Sequence, residues 1–226
     1  MIHPETEALL QAFSKIGLFE KHRAVLIGGT ALAYRLNHRE SFDLDLCFPY
    51  ANTLPSLDFL EHFKEVIPLE FDRAIIDTAI NEGGDIHEAM QRYIINGVKV
   101  DFVINPSSNI YESEILKNDP SERLGTLRIA SLPSIFKLKV LLLIDRNKIR
   151  DLYDVVYMLK YCHFTGNDII DTIMRYRITY QPKHIIDLFK AKKEDPFDVE
   201  GIENASMQPC DYTTLKKELI GILSQI

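Results

Sequence analysis

A short apolar run, Val25-Leu26-Ile27, stops at Gly28-Gly29 and gives way to Thr30-Ala31-Leu32-Ala33-Tyr34-Arg35, a stretch of helical composition. This order of strand, glycine turn and helix constrains the chain more than any other feature. The apolar run suits a buried strand. The two glycines let the backbone turn sharply and approach a ligand closely, and N–H groups at the helix start face whatever anion rests on the turn. Thirteen residues beyond Thr30 comes Asp43-Leu44-Asp45, within Phe42-Asp43-Leu44-Asp45-Leu46-Cys47-Phe48. If that stretch is a strand, alternation puts Asp43 and Asp45 on one face and Leu44, Leu46 and Phe48 on the other.

Two aspartates on one strand face repel each other, so a fold that sets them behind a glycine turn calls for positive charge between them. Magnesium or manganese is the natural candidate. A third carboxylate is at hand. Arg92 to Ile95 and Val98 to Val103 are rich in β-branched and aromatic residues and flank Asn96-Gly97, the dipeptide suited to a type I′ hairpin turn. Lys99 and Asp101 share one face of the second arm. If that arm pairs beside the Asp43 strand, three carboxylates converge where the phosphates of a nucleoside triphosphate could bridge two metal ions.

These residues resemble the nucleotidyltransferase superfamily, and within it the AbiEii/AbiGii-toxin-like branch. The resemblance rests on Ile27-Gly28-Gly29-Thr30-Ala31-Leu32 leading through His38-Arg39-Glu40-Ser41 to Asp43-Leu44-Asp45, on Lys99-Val100-Asp101, and on Lys139 followed by Asp145-Arg146 and Arg150-Asp151-Leu152-Tyr153-Asp154. It covers roughly residues 20 to 160. It implies an enzyme that moves a nucleoside monophosphate from a triphosphate to an acceptor and releases pyrophosphate. The residues matching Asp43 and Asp45 then hold metal, and the one matching Asp101 holds metal or helps to activate the acceptor. Gly28, Gly29, Thr30, Arg39, Ser41 and Lys139 are the expected nucleotide contacts. The acceptor implied by the toxin resemblance is the 3′ end of a transfer RNA, with a protein hydroxyl or a small molecule as alternatives, and a toxin implies a separate antitoxin protein. A nucleotide- or partner-binding module without chemistry is the non-enzymatic alternative.

Composition bounds the setting. The net charge of −7 argues against indiscriminate nucleic-acid binding over the whole surface. No apolar run reaches the ~20 residues of a membrane span, and the start of the chain lacks the pattern of a signal peptide. Cys47, Cys162 and Cys210 are too few and scattered for a disulfide framework or a zinc site, and fit a reducing cytoplasm. One segment departs from the acidic trend. Arg175, Arg177, Lys183, Lys190, Lys192 and Lys193 face a single acid, Asp187, with Tyr176, Tyr180, His184 and Phe189 interleaved. That pattern suits a phosphate backbone and stacked bases, and equally a solvated helix face with a basic last turn.

The expected fold is α/β, a nucleotidyltransferase domain over residues 1–130 with a mixed sheet flanked by helices, followed by a helical bundle over 131–226. Patterning predicts a helix from Glu5 to Phe19, a strand over 23–28, a helix over 29–37 and a strand over 42–48. It further predicts a helix from Leu57 to Ile67, an extended stretch from Glu70 to Thr78, and a polar loop from Asn105 to Gly125 placed to serve as a lid. Beyond Ala130 helices are expected to the end, broken at Asn147, Gly166, Pro182 and the loop from Glu194 to Pro209. Lys139 is expected to point away from the core or to sit at a domain seam. In an unbroken helix Lys139, Arg146, Arg150 and Asp154 would share a face, either as an exposed ion-pair ladder or, as the resemblance implies, with Lys139 on triphosphate oxygens and Asp154 assisting the chemistry or orienting a basic partner. Arg39 and Ser41 either position the triphosphate or cap local backbone. Lys99 either meets a phosphate or forms a cross-strand ion pair.

Overall fold

The computed structural model describes all residues but 82, 107–109, 199–200 and 209. The chain forms two compact units, one of Met1–Leu36 with Ser41–Ser131, the other of Asn37–Glu40 with Leu132–Ile226.

The first unit is built on a seven-stranded mixed sheet. Its strands are β1 (Val25–Ile27), β2 (Leu44–Cys47), β3 (Val66–Pro68), β4 (Met90–Ile95), β5 (Val98–Val103), β6 (Glu122–Leu124) and β7 (Leu127–Ile129), in the order β3-β4-β5-β2-β1-β7-β6. The β4–β5 hairpin turns at Asn96 and Gly97, both with positive φ, and pairs Ile95 with Val98 and Arg92 with Asp101. β5 lies parallel to β2, with Asp45 opposite Asp101. β2 runs antiparallel to β1, with Ile27 opposite Asp45. Leu44, Leu46 and Phe48 are fully buried, as the alternation required. Asp43 lies just before β2 rather than in it, and the glycines open helix α3 (Gly28–Leu36) instead of forming a separate turn.

Three local expectations are corrected. The helix expected from Glu5 to Phe19 is two helices, α1 (Pro4–Phe13) and α2 (Gly17–Lys21). The break lets Phe13 and Phe19 meet at 5.4 Å between ring centroids, and both rings contact Phe59. Each such aromatic pair contributes about 0.5–1.5 kcal/mol beyond its buried area. The helix expected from Leu57 to Ile67 is a single 3₁₀ turn, Asp58–His62, followed by β3, where Ile67 is half exposed. Pro68 and the β-branched pair before it favour the extended state at a sheet edge. The extended stretch expected from Glu70 becomes helix α4 (Arg73–Asn81), because Ile75, Ile76, Ala79 and Ile80 repeat at helical spacing and carry the chain out of the sheet.

The polar stretch 105–125 is not structureless. Beyond 107–109, which lie outside the described residues, it forms a 3₁₀ turn (Ile110–Glu112), helix α6 (Ser113–Lys117) and strand β6; the short helix α5 (Ile86–Ala89) precedes β4. Ile115 and Leu116 anchor this stretch in the core, so a lid formed by the whole segment is replaced by a packed connection.

The second unit is helical: α7 (Leu132–Asp145), α8 (Ile149–Tyr161), α9 (Gly166–Tyr176), α10 (Pro182–Ala191) and α11 (Tyr212–Leu223). Phe136, Leu141, Val155, Met158, Ile173, Leu215 and Leu219 are among its buried side chains. A capping box at Thr165 and Asp168 starts α9. Lys192 closes the end of α7 by donating to the carbonyls of Ile144 and Arg146 and to Asn147 Oδ1. Among the described residues, no helix is long and apolar enough to cross a membrane.

Candidate active site

The residues singled out in the sequence divide between the units. In the first, Gly28 has φ +74, and a Cβ there would stand 2.0 Å from Asp45 Oδ2. Only glycine admits that carboxylate against the start of α3. Thr30, one residue beyond Gly29, donates its hydroxyl proton to the carbonyl of Asp43. Its oxygen then accepts from Ser41 Oγ at 2.8 Å. Thr30 and Ser41 therefore fix the backbone that leads into the aspartate pair.

The parallel register carries Asp101 alongside Asp45. Lys99, two residues before Asp101 on the same face, places Nζ 3.7 Å from Asp101 Oδ2 and 3.9 Å from Asp43 Oδ2. Arg92 reaches the other oxygen of Asp101, Nε to Oδ1, at 3.4 Å. Among the described residues, no three His, Cys, Asp or Glu side chains stand at metal-holding spacing. What exists is an all-oxygen set of carboxylates with an ammonium between two of them. Asp101 is nearly buried, and the Asp43 and Lys99 side chains are about one-third exposed.

The second unit holds a different constellation. Asp154, fully buried on α8, accepts from Arg39 Nε (Oδ1, 2.7 Å), Arg39 Nη2 (Oδ2, 3.0 Å), Lys139 Nζ (Oδ2, 2.8 Å) and His38 Nε2 (Oδ1, 2.8 Å). Lys139 also donates to Asp151 at 2.8 Å, and Arg146 Nε donates to Asp151 at 2.6 Å. Lys139 is thus buried at 5% exposure and ion-paired, contrary to the first of the two placements expected for it, pointing away from the core. The helix break after Asp145 removes the shared face expected of Lys139 and Asp154, yet the two meet across α7 and α8. The exposed ladder expected as the alternative is absent for Asp154, which has no exposed surface.

Burial by itself would raise the pKa of Asp154; the charges of Arg39 and Lys139 and the bonds from His38 and Arg39 outweigh it and hold the carboxyl well below the usual range. Asp151 is lowered in the same way, burial being overcome by Lys139 and Arg146. For Lys139 burial pushes downward, and the two aspartates reverse it to a net rise. His38 goes the other way. Its burial dominates the bond to Asp154, and its pKa falls below 6.5. Since a carboxylate only accepts, Nε2 carries the proton, and the buried Nδ1 has no hydrogen-bond partner among the described residues.

The backbone of the 37–40 segment is gripped as well. The carbonyl of His38 accepts from Tyr153 Oη (3.1 Å), Ser206 N (2.9 Å) and Ser206 Oγ (2.8 Å). Glu40 N donates to the carbonyl of Glu203, and Tyr153 Oη accepts from Met207 N. His38 and Tyr153 lie in stretches that carry the resemblance but have no role assigned from the sequence, and Ser206 and Arg92 have none either. For Arg92 a signal exists, since counting back from the Asn96-Gly97 turn puts it opposite Asp101. For Ser206, 168 residues from its partner, none does.

Of the six basic residues near α10, Arg177 pairs with Asp145 and Lys192 is engaged at the end of α7, whereas Arg175, Lys183, Lys190 and Lys193 are exposed.

A sequence profile described as nucleotidyl transferase AbiEii toxin, type IV TA system, matches residues 8–218. No curated protein is significantly similar in sequence. Solved structures that share the fold include a candidate nucleotidyltransferase from H. pylori and JHP933 from Helicobacter pylori. The first has 16% identity and a TM-score of 0.51, with 98% of this chain and 93% of that one covered. The second has 15% identity and a TM-score of 0.51, with 100% and 93% covered.

Proposed function

This chain belongs to the AbiEii nucleotidyl transferase toxin family of type IV toxin–antitoxin systems, and from that premise we propose that it transfers a nucleoside monophosphate from a nucleoside triphosphate to an acceptor hydroxyl at Asp43, Asp45 and Asp101. One observation carries the assignment. The parallel register sets Asp45 beside Asp101, with Asp43 and Asp101 sharing one ammonium and Asp45 pressed against a glycine that leaves it room. No three His, Cys, Asp or Glu side chains stand at metal-holding spacing among the described residues, but an oxygen-only donor set is of the kind magnesium or manganese takes, one or two carboxylates together with substrate phosphates, and Asp43, Asp45 and Asp101 would supply it. When bound, such an ion lowers the pKa of the attacking hydroxyl and offsets charge on the leaving group.

The protein's own groups do the rest. N–H groups at the start of α3 meet triphosphate oxygens, while Thr30 and Ser41 hold the loop that presents Asp43. Asp101 takes the proton of the acceptor hydroxyl as its oxygen bonds to the α-phosphorus. The bond from that phosphorus to the β-phosphate bridging oxygen breaks, and pyrophosphate departs. Arg39, Lys139 and Asp154 act by position. Lys139, engaged by two carboxylates, orients Asp154, and Asp154 holds Arg39 in the segment that continues into Ser41 and Asp43.

The acceptor we assign is the 3′ end of a transfer RNA, supported by the exposed Arg175, Lys183, Lys190 and Lys193. A separate antitoxin protein is the expected partner. The test is incubation with magnesium or manganese, each of four α-labelled nucleoside triphosphates and total transfer RNA, beside an Asp43→Ala/Asp45→Ala variant. Label on RNA that needs the aspartates is the expected result. Label on protein or a small molecule redirects the acceptor, and label that persists in the double variant removes the carboxylates from the chemistry.

A further inference from the structure

The carboxylates assigned to the metal are already attended by cations of the chain itself. Lys99 Nζ stands 3.7 Å from Asp101 and 3.9 Å from Asp43, and Arg92 approaches the remaining oxygen of Asp101. The two lysine distances lie beyond ordinary hydrogen-bond range. The ammonium is therefore drawn to both carboxylates by charge without being fastened to either. Its side chain is 31% exposed, on a flexible four-carbon stem that can swing into solvent. Lys139 offers the contrast, with 2.8 Å bonds to both of its carboxylates and almost no exposure.

Resting on the reading of Asp43, Asp45 and Asp101 as metal ligands, the geometry points to Lys99 as a resident counter-cation. It holds the place of the divalent ion in the unloaded enzyme and has to withdraw when the ion enters. Asp43 and Asp101 flank this one ammonium, and carboxylates gathered without a cation repel, so Lys99 steadies the pair in the unloaded enzyme. The same positive charge opposes an incoming divalent ion by like-charge repulsion. Metal taken up without nucleotide then works against Lys99, and triphosphate oxygens supply an alternative partner for the displaced ammonium. This gives the site a built-in preference for loading metal and triphosphate together.

The test is binding of Mn²⁺ alone, without nucleotide, followed by calorimetry or by electron paramagnetic resonance of the free ion. Lys99→Met and Lys99→Gln remove the charge, and Lys99→Arg keeps it. Thermal unfolding in metal-free buffer checks that each variant is folded. Removing a repelling unit charge a few ångströms from the ion is expected to tighten Mn²⁺ binding by roughly tenfold or more. Lys99→Arg should stay near the wild-type value, and Asp43→Ala/Asp45→Ala should lose binding. If Met and Gln bind Mn²⁺ no more tightly than the wild type while the double variant still loses it, the counter-cation role is overturned and the metal ligands stand. If the double variant binds Mn²⁺ like the wild type, the ligand assignment falls and this inference falls with it.

Discussion

The two charged clusters of this protein are built to opposite rules. Around Asp43, Asp45 and Asp101 the carboxylates are partly open, and the Lys99 ammonium stays 3.7–3.9 Å away. Around Asp151 and Asp154 the carboxylates are buried, and the donors close to 2.6–3.1 Å, with Arg146 reaching Asp151 from a partly exposed position. A partly open, loosely compensated cluster can exchange its cation for another. A buried, fully compensated one cannot without leaving charge stranded in the interior. On the proposed function the first serves the chemistry, while the second holds backbone in place. Aspartate recurs in both, and only its surroundings separate the roles.

The sharpest way to break this contrast is to remove one aspartate from each cluster. Asp43→Ala or Asp45→Ala should abolish transfer while changing stability by less than about 1 kcal/mol, since both side chains keep access to solvent; radiolabel transfer and denaturant titration check the pair of effects. Asp154→Ala should instead cost about 3–5 kcal/mol by stranding Arg39, Lys139 and His38, a loss read by the same titration. Gly28→Ala is expected to hurt both properties. Its Cβ would meet Asp45 Oδ2 at 2.0 Å at a positive φ, so transfer should fall steeply and stability by more than about 1 kcal/mol.

Acidity sharpens the comparison further. His38 has a folded-state pKa below its usual 6.5, so in that window the unfolded chain binds more protons, and stability declines as pH drops below 6.5 toward the folded value. Asp151 and Asp154 are also lowered, so their contribution is complete above 3.8 and is lost as pH falls beneath it. Thermal midpoints followed downward from neutral pH should show both steps, and His38→Gln should flatten the first. The smallest effect belongs to Tyr153→Phe. Losing the hydroxyl that bridges His38 and Met207 should cost about 1 kcal/mol, visible as a small shift of the denaturant midpoint.

How much of this was legible in the sequence follows the same divide. The hairpin could be read because Asn96 and Gly97 demand the positive φ of a tight turn, and β2 because Leu44 and Leu46 alternate with acids. Those are local signals, and they place the open cluster. The buried network carries no such signal. α7 is apolar on nearly every side, so periodicity does not tell which face takes Lys139, and its partners sit on another helix. The grip of Ser206 on the carbonyl of His38 joins residues 168 apart through backbone atoms that every residue shares. α4 was missed because adjacent Ile75 and Ile76 favour a strand locally, whereas its helical spacing emerges only over the following turn.

The most direct test of the account is to measure transfer rate and thermal midpoint side by side for Asp45→Asn and Asp154→Asn, which remove one charge each at nearly constant volume. Asp45→Asn is predicted to lose transfer and unfold at the wild-type temperature, and Asp154→Asn to unfold at a clearly lower one. An Asp45→Asn enzyme that transfers nucleotide at the wild-type rate would contradict the account at its centre.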